Sequence, residues 1–122
     1  MILAGGLSSR MGGGDKGLLP LGPVTVLGRV IDRIAPQVGS LAINANGDAD
    51  RFARFGLPVL PDPLLPDQVP EFPGPLAGIW AAMDWALAHG EEWVVTVPSD
   101  TPFVPGALVL VCFEPQKTKQ LW

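Results

Sequence analysis

The feature that most constrains this chain is a series of short, β-prone apolar segments that alternates with segments of helical periodicity. The apolar residues run continuously instead of alternating with polar ones, which is typical of strands covered on both faces. The predicted strands span residues 1–4, 41–44, 57–60 and 93–97. Strands that alternate with helices form right-handed crossovers. We therefore predict an α/β fold, a Rossmann-like three-layer α/β/α sandwich with a mostly parallel sheet.

Two helical patterns separate the predicted strands. Pro36 indicates that the first helix ends near Ala35, while Pro75 suits the first turn of the second helix and Gly90 its C-terminal cap. Apolar residues recur every three or four positions in both, and we expect these stripes, Trp80 included, to face the core. The stripes are Leu27, Val30, Ile31, Ile34 and Val38, followed by Leu76, Ile79, Trp80, Met83 and Leu87. A shorter helical piece is predicted over residues 50–55.

Length and composition exclude several classes of protein. A chain of 122 residues has room for one domain, here residues 1–122. Its net charge of −4 argues against a nucleic-acid binder. No apolar run approaches the roughly 20 residues that span a membrane, and no signal peptide precedes the first strand, so we expect a cytoplasmic protein. The single cysteine, Cys112, is expected to be a small buried apolar residue.

The loop after the first predicted strand is rich in glycine and carries two cations. Gly5 and Gly6 let backbone N–H groups approach a ligand closely and form an anion cradle. Arg10 can fork onto two phosphate oxygens, and Lys16 adds a compact point charge. The loop therefore suits a triphosphate or a departing pyrophosphate; the alternative is a flexible solvated loop with incidental cations. The sequence does not fit a dinucleotide-binding loop or a P-loop.

Polar residues follow three of the predicted strands, where a parallel sheet binds its ligands. Asp100 is a candidate Mg²⁺ ligand, since magnesium uses one or two carboxylates together with water and phosphate, although it could instead cap a turn. Asn44 can either read a base or ribose edge or form a turn. Asp62 could simply be solvated. The only histidine, His89, stands near a helix C-terminus, where it favours the helix dipole, and we assign it no catalytic role.

Four ordered motifs resemble those of nucleotidyltransferases related to sugar-nucleotide pyrophosphorylases. Residues 3–16 match the signature L-A-G-G-x-S-x-R-M-G-x-x-D-K. Asn-Ala-Asn at 44–46, Gly-Pro-Leu-Ala-Gly at 74–78 and Pro-Ser-Asp-Thr-Pro-Phe at 98–103 follow in order. Within that superfamily the chain most resembles the MobA-type molybdenum cofactor guanylyltransferases. The resemblance implies the nucleotide-diphospho-sugar transferase fold and the transfer of GMP from GTP to the terminal phosphate of molybdopterin, with Mg²⁺ as cofactor and release of pyrophosphate.

The resemblance also implies roles for individual residues. Catalysis would fall to Arg10, Lys16 and Asp100, and Asp100 would hold the metal. Gly74 and Gly78 would let the long helix approach the guanine. The nucleotide-binding set would be Leu3, Ala4, Gly5, Gly6, Lys16, Asn44, Asp62, Gly74, Gly78 and Asp100. The implied partners are GTP and molybdopterin, with room for transient contact with other cofactor-biosynthesis proteins or molybdoenzymes, and neither nucleic acid nor membrane.

Alternatives to guanylyl transfer stay open at this point. They are a cytidylyl- or sugar-1-phosphate nucleotidyltransferase and a truncated nucleotide-binding module without catalysis. The chain begins several residues later than family members do, and it stops well before the point at which they end. Its last residues, 106–122, are expected to be an atypical end. We expect the nucleotide-binding half of the family fold to be better retained than the acceptor-binding half.

Overall fold

A four-stranded parallel sheet organises the protein. The computed structural model describes residues 1–5, 16–63 and 75–113. The strands of the sheet are β1 (Ile2–Leu3), β4 (Ile43–Asn44), β5 (Val59–Leu60) and β6 (Val97–Pro98), in the order β5-β4-β1-β6. Each of the three pairings is parallel, so the predicted mostly parallel sheet is confirmed.

Hydrogen bonds carry the pairing slightly beyond the strands themselves. The Ala4 N–H donates to the Asn44 carbonyl oxygen at 2.8 Å, and the Ser99 N–H donates to the Leu3 carbonyl oxygen at 3.1 Å. The strands are shorter than predicted. The fourth strand begins only at Val97, because its neighbour β1 begins opposite it at Ile2.

Helices lie over the sheet and a small hairpin precedes the first of them. The hairpin pairs β2 (Pro20–Leu21) with β3 (Val24–Thr25) in antiparallel fashion. The helices are α1 (Val26–Ile34), α2 (Leu76–Ala88) and α3 (Leu108–Phe113). Short 3-10 helices span Lys16–Leu18, Ala35–Gln37 and Ala49–Phe55.

Helix α1 forms where the sequence predicts it. The Thr25 hydroxyl caps its first turn by accepting from the Gly28 N–H at 3.0 Å. The helix gives way to a 3-10 turn at Ala35, consistent with Pro36. Leu27, Val30 and Ile34 are buried, so the predicted stripe does face the core.

The two faces of the sheet carry two packed layers. Ile2, Ile43 and Val97 pack with α1 and with Phe52 of the third 3-10 helix on one face. On the other face Met1 and Ala42 pack against Ala82 of α2. Since side chains alternate between the faces of a strand, these two sets define the three-layer sandwich predicted from the sequence.

Helix α2 buries the opposite side from the one predicted. Trp80 is 43% exposed and Leu87 is 78% exposed, and Leu76 and Met83 are exposed as well. The buried residues are Ala77, Gly78, Ala81, Ala82 and Ala86. The sequence contains both an apolar stripe and a stripe of small residues, and the close approach of the helix to the sheet selects the small one. Gly90, with φ of 69°, follows the helix end as expected.

Helix α3, the end of α2 and the first residue of the chain each have one further feature. Cys112 is exposed on α3, which buries none of its residues, so the expectation of a buried cysteine is wrong. His89 is exposed at the C-terminus of α2, where its Nδ1 donates to the Trp85 carbonyl oxygen at 2.8 Å. The Met1 amino group donates to the Val95 carbonyl oxygen at 2.9 Å, and burial lowers its pKa from 8.0 to about 6.

Candidate functional site

The candidate site lies at the carboxyl ends of the parallel strands. From β1 the chain proceeds to β4 and β5 on one side, and it then returns to β6 on the other side of β1. The crevice beyond the carboxyl ends of β1 and β6 is therefore the switch point at which open α/β sheets bind their ligands. The residues that follow β1, β4, β5 and β6 all border this edge.

The end of β1 supplies the first of the expected site residues. Leu3 is half-buried, Ala4 is buried and Gly5 is half-buried. A Cβ on Gly5 would lie 3.5 Å from both Asn44 Oδ1 and Asn46 Nδ2, which places the start of the glycine-rich loop beside β4. Gly6, Arg10 and Gly74 lie outside the described residues.

Three polar side chains at the ends of β4 and β5 form a hydrogen-bonded group, which we call the Asn–Asp cluster (Asn44, Asn46 and Asp62). Asn44 Nδ2 donates to Asp62 Oδ1 at 2.9 Å, and Asn46 Nδ2 donates to Asp62 Oδ2 at 2.9 Å. The Asp62 N–H donates back to Asn46 Oδ1 at 2.8 Å. Both oxygens of the carboxylate therefore have an amide donor, and the two strand ends are joined through side chains.

Asn44 is the most buried member of this cluster, at 1% exposed. Its Nδ2 also donates to the Leu60 carbonyl oxygen at 3.2 Å, so it bonds both to β5 and to Asp62, two residues beyond that strand. Its Oδ1 receives no hydrogen bond from the described residues. A buried polar atom without a partner is costly, so this oxygen is a candidate to accept from a ligand or from a part of the chain outside the described ranges.

Gly78 of α2 is required by the position of Asn44. A Cβ at Gly78 would stand 2.6 Å from Asn44 Oδ1 and 3.2 Å from Leu3 Cδ2. No side chain fits at such distances unless its neighbours move, and these neighbours belong to the sheet. Glycine thus lets α2 approach the ends of β1 and β4. The three atoms nearest to that Cβ belong to Asn44 and Leu3.

Lys16 and Asp100 come from distant parts of the sequence, and their immediate neighbours touch. A Cβ on Gly17 would lie 3.2 Å from the Ser99 carbonyl oxygen and 3.3 Å from Ser99 Cβ. Gly17 is buried, so the 3-10 helix that begins at Lys16 packs directly on the segment that follows β6. This contact brings the backbone of Lys16 and the backbone of Asp100 to the same part of the site.

The side chains of Lys16 and Asp100 differ from those of the Asn–Asp cluster. Both residues are exposed. No described residue forms a hydrogen bond or ion pair with either side chain. A cation and an anion without partners among the described residues thus lie in the same part of the site, where they could bind a phosphate and a metal ion respectively.

Asp100 fits the requirements of magnesium better than Asp62 does. Magnesium in phosphate-binding sites uses one or two carboxylates and takes its other ligands from water and phosphate. Asp100 is exposed and unbonded within the described residues, whereas both carboxylate oxygens of Asp62 already accept from amides. Over the same part of the chain no group of three or more His, Cys, Asp or Glu residues could hold a metal ion. An ion at Asp100 would depend on the substrate for further ligands.

A cavity of about 600 Å³ opens beside Asp100 on the flank of β6. Its wall is mostly apolar and includes Val97, Val104 and Leu108, and Asp100 is the charged residue in its lining. Gln37 fixes this region to the end of α1, because Nε2 donates to the Pro105 carbonyl oxygen at 3.0 Å and Oε1 accepts from the Val109 N–H at 2.9 Å.

Sequence reasoning missed two residues of this site. From the sequence, Asn46 is predicted only as a member of the Asn-Ala-Asn motif, and Gly17 has no predicted role. The signal for Asn46 is its spacing of two from Asn44, which places both amides at the same strand end. No comparable signal marks Gly17, since its need for a small side chain arises from Ser99, 82 positions later.

Comparison with known proteins places the chain in a family. A family model described as the MobA-like NTP transferase domain matches residues 1–118. The chain belongs to this family. The match covers nearly the entire sequence, including all the strand ends that border the site. It also agrees with the parallel sheet and its covering helices, which are those of a nucleotide-diphospho-sugar transferase fold.

Several curated relatives of this MobA-like domain share one name. "Molybdenum cofactor guanylyltransferase" of Rhodopseudomonas palustris (strain BisB5) is 54% identical over 112 residues, which is 90% of this chain and 51% of the relative. The protein of the same name from Nitrobacter hamburgensis is 52% identical over the same shares. That of Mesorhizobium japonicum is 54% identical over 110 residues, 89% of this chain and 50% of the relative. The chain thus spans about half the length of the curated relatives it matches.

Within residues 1–5, 16–63 and 75–113, no helix combines the length and the apolar character needed to cross a membrane.

Proposed function

We propose that this MobA-like domain binds GTP with Mg²⁺ at the strand-end site and takes part in the transfer of GMP to the terminal phosphate of molybdopterin. The observation that carries the proposal is the packing of Gly17 on Ser99, which brings Lys16 and Asp100 to one part of the site. The names of the curated relatives support the choice of reaction.

The two parts of the site suit different parts of the nucleotide. The triphosphate is anionic, so it belongs beside Lys16 and the backbone N–H groups of the glycine-rich loop. The nucleoside offers hydroxyl and N–H donors, which suit the acceptor atoms of the Asn–Asp cluster. With Leu3 and Gly5 between these two parts, one nucleotide could reach both.

In the proposed reaction an oxygen of the acceptor phosphate attacks the α-phosphorus of GTP. The bond between the α-phosphorus and the oxygen that bridges to the β-phosphorus breaks, and pyrophosphate leaves with the electron pair. The attacking phosphate is already ionised, so no protein side chain has to remove a proton. Lys16 would neutralise charge on the departing pyrophosphate, and Arg10 would add a second cation.

Asp100 would hold the magnesium ion. Bound there, the ion would supply positive charge to the reacting phosphates. The contribution of the protein is then mostly positioning and charge stabilisation, as in phosphoryl transfer generally. The exposed carboxylate of Asp100, with its lone pairs unused within the described residues, suits this role.

The reaction is tested by measuring pyrophosphate release. The purified chain is incubated with MgCl₂, molybdopterin and either GTP or CTP, and nucleotide retained by the protein is measured in the same samples. We expect release with GTP, a large loss in Lys16→Ala, and little change in Arg54→Ala, which removes one exposed cation from the 3-10 helix Ala49–Phe55.

Each other outcome contradicts a defined part of the proposal. Release with CTP in preference to GTP would indicate a cytidylyltransferase, and release with a sugar 1-phosphate as acceptor would indicate a sugar-nucleotide enzyme. Nucleotide retained without pyrophosphate would indicate a binding module without catalysis. Neither release nor retention by a folded chain would overturn the proposal as a whole.

A further inference from the structure

We propose that Asn46 is a positioning residue that sets the affinity of the site for the nucleoside part of the nucleotide, acting through Asp62. The inference rests on the proposed function, because it concerns how the same site holds its nucleotide. It adds a residue to which the family resemblance assigns no role.

The side chain of Asn46 forms two hydrogen bonds with Asp62. Its Nδ2 donates to Asp62 Oδ2 at 2.9 Å, and its Oδ1 accepts from the Asp62 N–H at 2.8 Å. One amide therefore fixes both the backbone and the carboxylate of the same residue. With Asn44 bonded to the other carboxylate oxygen, the carboxylate plane cannot rotate without breaking a hydrogen bond.

Asn46 is itself held by the core of the protein. The Arg51 guanidinium donates to the Asn46 carbonyl oxygen at 2.8 Å and also to the Asp48 carbonyl oxygen. The same guanidinium lies over the ring of Phe52, 4.4 Å from its centroid, and Phe52 is fully buried. The turn that contains Asn46 is thus attached to the α1 side of the sheet. Through its two hydrogen bonds, Asn46 in turn restricts the orientation of Asp62.

The chemistry of an oriented carboxylate indicates which part of the nucleotide depends on Asn46. An ionised carboxylate only accepts hydrogen bonds, and each Asp62 oxygen keeps lone pairs beyond the one used by its amide donor. These lone pairs can accept from ribose hydroxyls or from base N–H groups. They repel phosphate, so loss of Asn46 should weaken nucleoside contacts and spare the contacts of the polyphosphate with Lys16 and magnesium.

The location of Asn46 agrees with this division. Its Nδ2 lies 3.5 Å from the position that a Cβ on Gly5 would occupy, so the Asn–Asp cluster borders the start of the glycine-rich loop. The contact between Gly17 and Ser99, which marks the phosphate side, lies on the side of β1 that faces β6. Asn46 therefore belongs to the nucleoside side.

The test compares two ligands on one set of variants. Isothermal titration calorimetry measures the binding of Mg–GTP and of Mg–tripolyphosphate to the wild-type chain, to Asn46→Ala and to Asp48→Ala. Asp48 is the matched control, since it lies in the same turn and its side chain accepts from the Asp50 N–H without contacting Asp62. Circular dichroism confirms that each variant is folded under the conditions used.

We expect Asn46→Ala to bind Mg–GTP about tenfold or more weakly, the change that follows from losing two part-buried hydrogen bonds to Asp62, one of them to its carboxylate. Its affinity for Mg–tripolyphosphate should stay within about twofold of wild type, as should both affinities of Asp48→Ala. If Asn46→Ala does not fold, Asn46→Ser gives the same comparison without adding a charge, because its short side chain cannot bond to both the backbone N–H and the carboxylate of Asp62.

The ratio of the two affinities decides the inference. An unchanged ratio, whether both ligands weaken equally or neither does, would show that Asn46 has at most a structural role and would overturn the inference while leaving the proposed function intact. A wild-type chain that binds neither ligand would overturn the proposed function, and the inference with it.

Discussion

The two sides of the strand-end surface differ in how far their polar side chains are bonded within the protein. On the side of β4 and β5, the Asn–Asp cluster is hydrogen-bonded within itself, and Asn44 is buried. On the side of β6, the side chains of Lys16 and Asp100 are exposed and bond to no described residue. The first side is ordered by the protein, so it should contribute to stability, while the second should contribute mainly to binding.

The largest effect is expected for Gly78→Ala. The new Cβ would stand 2.6 Å from Asn44 Oδ1. Either α2 moves off the sheet, or Asn44 loses its hydrogen bonds to the Leu60 carbonyl oxygen and to Asp62 Oδ1. Overpacking and weakened buried hydrogen bonds together should lower the free energy of unfolding by roughly 2–4 kcal/mol, measured by urea denaturation. Gly39→Ala is the control, because a Cβ there meets nothing within 4 Å. Equal effects of the two substitutions would contradict the packing described for the cluster.

The next effect concerns the hydrogen bonds of the Asn–Asp cluster. Asn44→Ala removes the donor to both the Leu60 carbonyl oxygen and Asp62 Oδ1, which should cost about 2–3 kcal/mol. A double-mutant cycle with Asp62→Ala should give a coupling free energy of about 1–2 kcal/mol, since the two residues share a hydrogen bond. A coupling indistinguishable from zero would mean that this bond does not stabilise the fold.

A pH-dependent effect is expected at Met1, on the same sheet. Burial lowers the pKa of its amino group from 8.0 to about 6, so between these values the unfolded chain binds more protons than the folded one. The free energy of unfolding of the 122-residue chain should therefore rise by up to about 2 kcal/mol from pH 6 to pH 8 and be lost again on acidification. Acetylation of the amino terminus should flatten this rise. A rise that survives acetylation would have to come from another group.

The smallest effect on stability is expected on the β6 side. Lys16→Ala and Asp100→Asn remove no hydrogen bond or ion pair within the described residues, so each should change the free energy of unfolding by less than about 0.5 kcal/mol. Thermal and urea denaturation without ligand measure this directly. A loss comparable to that of Asn44→Ala would show that the two sides do not differ in the way described.

The sequence predicted the scaffold better than it predicted the packing. The order of strands and helices and the stripe of α1 follow from local patterns, because Leu27, Val30 and Ile34 recur at helical spacing and are the residues that this helix buries. Helix α2 has two stripes, and the choice between them depends on how closely the sheet approaches. That distance is set by Asn44 and Leu3, which are remote in sequence from Gly78.

For the candidate site, the sequence predicted which residues lie at the strand ends, but it did not predict their hydrogen bonds. Strand ends identify Asn44, Asp62 and Asp100 from the sequence alone, because parallel strands place their carboxyl ends at one edge. The bonding of Asp62 to two amides, and the absence of such bonding at Asp100 within the described residues, arises from the register of β4 against β5. Register between strands 16 positions apart is not encoded in either strand by itself.

Calorimetric titration of the folded wild-type chain with GTP in the presence of MgCl₂, alongside Lys16→Ala and Asp100→Asn, tests the central claim most directly. We expect the wild-type chain to bind one nucleotide and each variant to bind it at least about tenfold more weakly, with an unchanged circular dichroism spectrum. A folded wild-type chain that produces no heat, or variants that bind GTP as tightly as the wild type, would contradict the claim that Lys16 and Asp100 share one nucleotide.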